Sequence, residues 1–599
     1  MALSPAVDGD AVPPGLVRRS PGARWRPFLV FSLGLAILFA VLAVYPLVRV
    51  VLGLLIVDGN FTLAPIQRIF AIPDLAELLF NSVVVVGASS VIALVVGGGL
   101  AWLNERTDAR LGALTDSLPL IPFLVPPIAG AIGWVLLLSP TAGLLNGALR
   151  GALGPLGYSD SSGPLNIFTW YGLIFVYVLY QVPYAFMTVS AGLRNSDTTL
   201  EEQSRVSGAG PGRTFWRVTL PSIRPALGGA VLLMLVQGLA LFSIPVIIGT
   251  GAGIEVLAVR IVELLNFTYP PQMIEAIGLS LIMILLVGLA WFAQDRVLKS
   301  GRHGTVGGKG QRFEVVRLKR WRPLARAALL LYGLLAVVLP VGGLVLVTLN
   351  GFWTPNIDWG GLSFEWFNKT VFERPVSMRA LSNSMTLGVI GASIGMLVAG
   401  IISVLIVRNR WRLTRVLDGA IKMPAVVSHI VIAVGMILAF AGPPFMLGGT
   451  VAILLLAYIV VYLPQGSVST DAAVAQVGKD LAEASAVAGA GYGRTFFRVH
   501  LPLIVPAMVA GWAFLFARMA GDLTATAILA GPSNITVGFL LLQTYQNGSY
   551  GQLAPIAVVL TVISSAVVIT VISLANLWSR RSSRRGRVRA VTMEAKANG

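Results

Sequence analysis

The sequence contains no cysteine and three histidines, and only 12% of its 599 residues are charged. Without cysteine there is no disulfide framework, no thiolate metal site and no cysteine nucleophile. His303, His429 and His500 are scattered, so spacing assembles no metal site from them. A phosphate-binding loop is also missing. The nearest stretch, GTVGGKG from Gly304 to Gly310, has the wrong spacing and no hydroxyl residue after Lys309, and no strand precedes it. With no histidine beside a serine elbow either, the chain reads as a non-enzyme that binds no cofactor of its own.

Apolar residues are what it has in excess: 56% of the chain, with mean hydropathy +0.81. That composition belongs to a chain whose solvent is a lipid bilayer. The net charge of +18 does not indicate nucleic acid, because the basic residues sit in short patches between apolar runs. Stretches long enough to cross a bilayer as helix, about 20 residues, recur twelve times: 28–56, 82–103, 117–138, 170–192, 226–249, 274–297, 325–349, 384–408, 416–440, 449–468, 506–530 and 553–577. Helix is the expected state, since an unpaired backbone group in lipid costs several kcal/mol and a helix pairs its own. The first run is too long for a signal-peptide core and reads as a retained span.

Arginine and lysine cluster in the even-numbered connections (Arg106 and Arg110; Arg194 to Arg224; Arg408 to Arg415; Lys479 to Arg498), in the central linker and in the C-terminal tail. The odd-numbered connections are nearly free of them. By the positive-inside rule both termini and every even connection are cytoplasmic, in a multi-pass plasma-membrane protein. The expected organisation is a cytoplasmic tail at 1–27, six spans in 28–297, a basic linker at 298–324, six spans in 325–577 and a basic tail at 578–599. Asn81-Ser82 and Asn383-Ser384 open the second span of each half, and Pro46 and Pro340 interrupt the first. Six is even, so the halves run parallel about an axis along the membrane normal.

The clearest sign of duplication is a polar segment present twice: LEEQSRVSGAGPGRTFWRVTLPSIRPAL from Leu200 to Leu227, and LAEASAVAGAGYGRTFFRVHLPLIVPAM from Leu481 to Met508. Roughly two-thirds of the positions are identical without a gap. Each copy has small residues, glycines that allow a sharp turn, an amphipathic stretch and a Leu-Pro step into the next span. Such a segment suits a short helix seated in a groove of another protein; the plainer alternative is an interfacial helix lying on the membrane. Its spacing resembles the EAA signature of ABC importer permeases. Glu202, Gln203, Ser204, Gly208, Val218, Leu220 and Pro221 carry it in the first copy, and Glu483, Ala484, Ser485, Gly489, Val499, Leu501 and Pro502 in the second. With Gly210 and Arg213, and Gly491 and Arg494, they make up the expected ATPase-coupling residues. Where the signature usually has alanines, the first copy has Gln203 and Ser204. The fused layout, Ser117 to Asn146 and Ala517 to Leu529 most resemble the ferric-iron-type members, whose relatives handle thiamine, polyamines or aminoalkylphosphonates.

The resemblance implies an all-α type I importer permease fold of twelve transmembrane helices in two parallel six-helix halves. It also implies two ATPase subunits, one docked on each loop and using ATP and magnesium, and an extracytoplasmic solute-binding protein that delivers the solute. A twelve-span secondary transporter is the competing class, but it gives no reason for paired loops. Within the spans, Arg518 and Asp522 lie four apart and are expected on one helix face, either as a mutual ion pair or as a lining of the pathway. The first-half counterpart, LALFSIPVIIG, lacks an acidic residue near Phe242 or Ser243. Lys422 is expected to snorkel to the interface, and His429 to hydrogen-bond between helices.

Overall fold

The computed structural model describes residues 26–57, 60–299, 315–409 and 411–597. The N-terminal tail and most of the basic linker expected from the sequence lie outside these residues. Among the described residues, nine helices are long and apolar enough to cross a membrane, and four bent helix pairs raise the number to at most thirteen. The twelve expected spans fall within that range. Side chains such as Phe31, Val95 and Leu397 are more than half exposed on the outside, forming an apolar surface that only lipid can cover.

Two expected spans are broken. The stretch at 117–138 is the pair Thr115–Leu124 and Pro127–Leu138, bent by 91°, and the stretch at 416–440 is Arg412–Val426 and His429–Ala441, bent by 108°. At the first break Pro126 and Pro127 remove backbone donors and force the preceding residue to be extended. At the second, Ser428 is extended and its side chain accepts from the Ile430 N–H, restarting the helix. The fifth and eleventh spans also stop early, at Ala240 and Ala520. The chain then turns through Pro245–Ala252 and Leu257–Asn266, which meet at 95°, and through Thr526–Leu529 and Val537–Gln546 in the second half.

The halves repeat each other down to single hydrogen bonds. Ser82 Oγ accepts from Leu257 N at 2.8 Å, and Ser384 Oγ accepts from Val537 N at 2.9 Å. The halves also interlock. The first helix, Arg26–Leu55, packs against Arg412–Lys422 and His429–Met436 of the other half, while Leu339–Asn350 packs on Pro127–Leu138. Both crossings depend on a missing side chain. A Cβ on Gly435 would lie 2.7 Å from the Pro46 carbonyl oxygen, and one on Gly133 would lie 2.4 Å from that of Pro340. Glycine thus lets backbones touch where the halves exchange their first helices. Tyr332 Oη donates to the Leu179 carbonyl at 3.0 Å, and Trp353 Nε1 to that of Leu136 at 3.1 Å, adding polar ties across the same boundary.

Candidate functional site

The two loops fold alike. Each opens with a short helix, Thr199–Val206 or Lys479–Val487, and ends it on a glycine with positive φ, Gly208 at 80° or Gly489 at 76°. Only glycine adopts that conformation without strain. The closing hydrogen bonds match: Ala209 N to Ser204 O and Ala490 N to Ser485 O, both 3.0 Å. Ser204 and Thr214 hydroxyls meet at 3.0 Å, and Ser485 and Thr495 at 2.9 Å, pinning the first helix to the second element in each loop. A single π-helical turn follows in both, Phe215–Thr219 and Phe496–His500, before Leu220-Pro221 and Leu501-Pro502. In the first loop, Asp197 accepts from the Thr199 N–H and hydroxyl. Those bonds hold its carboxyl below the ordinary range.

What the loops leave uncovered is also duplicated. Val206 and Val487 are each 90% exposed, and Trp216 and Phe497 are 67% and 59% exposed. Arg213 and Arg494 are exposed beside them. Glu483 is exposed, whereas Glu202 is half-buried. Identical bare valines on two copies of one loop form matched apolar patches rather than scattered surface residues.

The second component is a cavity of about 30 Å³ between the halves, room for one or two waters. The first half lines it with Phe123, Pro126, Pro127, Gln237, Leu241 and Ser243; the second with His429, Tyr462, Arg518, Asp522 and Thr524. The single-face expectation for Arg518 and Asp522 is corrected here. The helix ends at Ala520, so Arg518 is in its last turn and Asp522 lies beyond it. They form no ion pair within 4.0 Å. Asp522 instead accepts from Tyr462 Oη at 2.7 Å and from Ala525 N at 2.9 Å, capping the turn Thr526–Leu529. Arg518 Nε is buried without a hydrogen-bond partner.

Lys422, 30% exposed at its side chain, bridges Asp418 and Asp471, at 2.5 and 2.6 Å. One further expectation changes. His429 meets Tyr462 edge-on, ring centroids 5.3 Å apart, rather than through a hydrogen bond. Sequence reading missed Gln237 and Tyr462, although the register of the duplicated loops contains the signal. Carried past Leu-Pro, it pairs Gln237 with Arg518 and Leu241 with Asp522; carried backwards, it pairs Gln181 with Tyr462. The uncharged counterpart of Asp522 is therefore Leu241, not Phe242 or Ser243. The cavity is lined by both halves, with ionisable side chains on one side and none on the other.

A ferric transport system permease protein of Actinobacillus pleuropneumoniae is 23% identical over 562 residues, covering 90% of this chain and 77% of its own. A probable ABC transporter permease protein of Sinorhizobium fredii is 26% identical over 492 residues, 79% of this chain and 84% of its own. Among solved structures, a bacterial ABC transporter that imports the acidic polysaccharide alginate aligns with 44% of this chain and 97% of its own, at 20% identity and TM-score 0.36. The family model described as binding-protein-dependent transport system inner membrane component matches twice, over residues 89–299 and 391–585. The chain belongs to that family of inner-membrane transport components, with two family units fused in one polypeptide.

Proposed function

We propose that this chain alone forms the transmembrane pathway of an ATP-binding-cassette importer for ferric iron. An extracytoplasmic binding protein hands over the solute, and two ATPase subunits, one on each duplicated loop, bind ATP and magnesium and supply the work. Both loops and both termini face the cytoplasm, the side where ATP is available. The observation that carries this reading is the pair of equally exposed valines, Val206 and Val487, on loops with the same hydrogen bonds. Two identical partners require two identical surfaces. Relatives that align with most of this chain are named as ferric transport permeases, which supports iron as the solute.

In this reading Glu202, Ser204, Gly208, Gly210, Arg213, Leu220 and Pro221 build one socket. Glu483, Ser485, Gly489, Gly491, Arg494, Leu501 and Pro502 build the other. Each socket leads into a span whose far end lines the central cavity, at Gln237 in one half and Arg518 in the other. Closure of the ATPase pair would move the loops together and part the halves at the cavity. Arg518 and Asp522 then line the path. The test is purification of the tagged chain with its neighbouring ATPase, followed by uptake of radiolabelled ferric iron into proteoliposomes with the loaded binding protein. Two ATPases per chain and ATP-dependent uptake are expected. Proton-driven uptake by the isolated chain would overturn the proposal.

A further inference from the structure

The two loops present the same surface but are tied to the membrane differently. In the first half, the helix Thr199–Val206 is anchored by Glu201, 5% exposed. Glu201 Oε1 accepts from Arg106 Nε at 3.2 Å and from Thr219 Oγ1 at 3.0 Å. Arg106, itself 4% exposed, also donates through Nη2 to the Leu193 carbonyl at 2.7 Å. One carboxylate therefore joins the loop helix, the π-helical turn and the ends of two spans. The connection to the fifth span is broken: Pro211–Ser222 and Arg224–Ala240 meet at 69°.

The second half reverses both features. Arg408 takes the place of Arg106 and donates to the Val477 carbonyl at 2.7 Å. At the position of Glu201, however, the chain has Ala482, and at that of Thr219 it has His500. Arg408 Nε and His500 Nδ1 are consequently buried without a partner among the described residues. Here the loop runs without a break into its span, as the single helix Tyr492–Ala520. At 1.5 Å per residue that is a rod of about 40 Å from loop to Arg518.

We propose that Glu201 is a positioning residue that latches the first loop to its membrane helices, doing through a buried ion pair what an unbroken helix does in the second half. A docked partner pushing on the first loop meets a bend at Ile223, which absorbs displacement. The latch passes the push to the spans ending at Arg106 and Asn195. Breaking it leaves the docking surface intact but lets the loop move without its half.

This inference rests on the proposed docking of ATPases at the loops, and the experiment separates the two. The full chain, co-reconstituted with its ATPase subunits, is assayed with binding protein carrying ferric iron for iron imported per ATP hydrolysed. Glu201→Gln should retain the ATPase and lower that ratio by about threefold or more, the scale of a coupling mutation. Glu201→Asp should restore most of it, and Thr219→Val, which removes one donor, should lower it less. An unchanged ratio in Glu201→Gln with the ATPase still bound would overturn the latch. So would equal losses in the Gln and Asp variants accompanied by equal drops in melting temperature, which would make Glu201 merely structural. Failure of the unmodified chain to retain an ATPase would overturn the docking reading instead.

Discussion

Replacing Val206 with aspartate should weaken binding of one ATPase subunit without disturbing the membrane domain. Val206 is 90% exposed, so the fold loses no packing. Burying a valine side chain is worth roughly 1.5–3 kcal/mol, and an unpaired carboxylate in the same groove adds a desolvation cost. Only part of that surplus survives as affinity, because association orders side chains and costs translational freedom. A net loss of about 2 kcal/mol is therefore expected, roughly a 30-fold rise in Kd. Val487 has the same exposure, so Val487→Asp should cost the same within about a factor of three, the usual context dependence of such numbers. The double variant should lose more than either, since the chain then forfeits bivalent attachment as well. The assay is titration of detergent-solubilised chain with purified, fluorescently labelled ATPase, with the melting temperature as the folding control. Unchanged affinity in both single variants, at unchanged melting temperature, would refute the argument; so would a large effect in one loop and none in the other.

Gly133→Ala and Gly435→Ala should each lower the melting temperature in detergent, since their Cβ atoms would sit 2.4 and 2.7 Å from backbone oxygens of the opposite half. Overpacking of this kind costs about 1–3 kcal/mol, and an unaltered melting temperature in both would contradict the helix exchange. Tyr462→Phe removes one of the bonds to Asp522 but leaves the Ala525 N–H in place. A stability loss of about 1 kcal/mol is expected, read by thermal unfolding, together with reduced solute uptake. Arg518→Gln makes the cavity more symmetric by copying Gln237. Because Arg518 has no ion pair to lose, uptake should fall while the melting temperature stays constant, and the opposite pattern would assign Arg518 to packing.

The sequence made the loops legible because they are polar, gap-free and duplicated, so that one register carried every residue from Leu200 to its partner at Leu481. The presence of many membrane-spanning helices was legible for a similar reason: bilayer thickness acts through composition, which needs no coordinates. Hydropathy could not show that runs at 117–138 and 416–440 are bent, because a re-entrant pair and a straight span have the same average. The prolines at Pro126 and Pro127 mark the first break, but Ser428 is an ordinary residue in an apolar run, and its capping role appears only once the backbone turns. The helical spacing of Arg518 and Asp522 misled in the same way. Four residues place two side chains on one face only if the helix continues, and here it stops at Ala520. Glu201 escaped notice because the signature draws attention to its neighbour Glu202, and because its partner Arg106 is distant in sequence.

The contrast between matched loops and an unmatched cavity follows from what each must contact. If two copies of one ATPase dock as proposed, a pseudo-two-fold protein must repeat its surface, down to the pairs that shape it, Ser204–Thr214 and Ser485–Thr495. Nothing imposes that symmetry on the axis itself. If the solute crosses there, as proposed, it meets both halves at once, so one half can supply all the charge while the other supplies shape. Pro126, Pro127, Gln237 and Leu241 stand opposite His429, Arg518 and Asp522 in that sense, non-ionisable against ionisable. Because the charged groups all belong to the second half, its unbroken helix links its loop directly to the residues that would hold or release a solute. The first half has no such residues at the end of its span, and a bend with a latch can serve it. The asymmetry of the cavity and the asymmetry of the loop attachments are in this view one arrangement, with the second half carrying the gate and the first half carrying the counter-thrust.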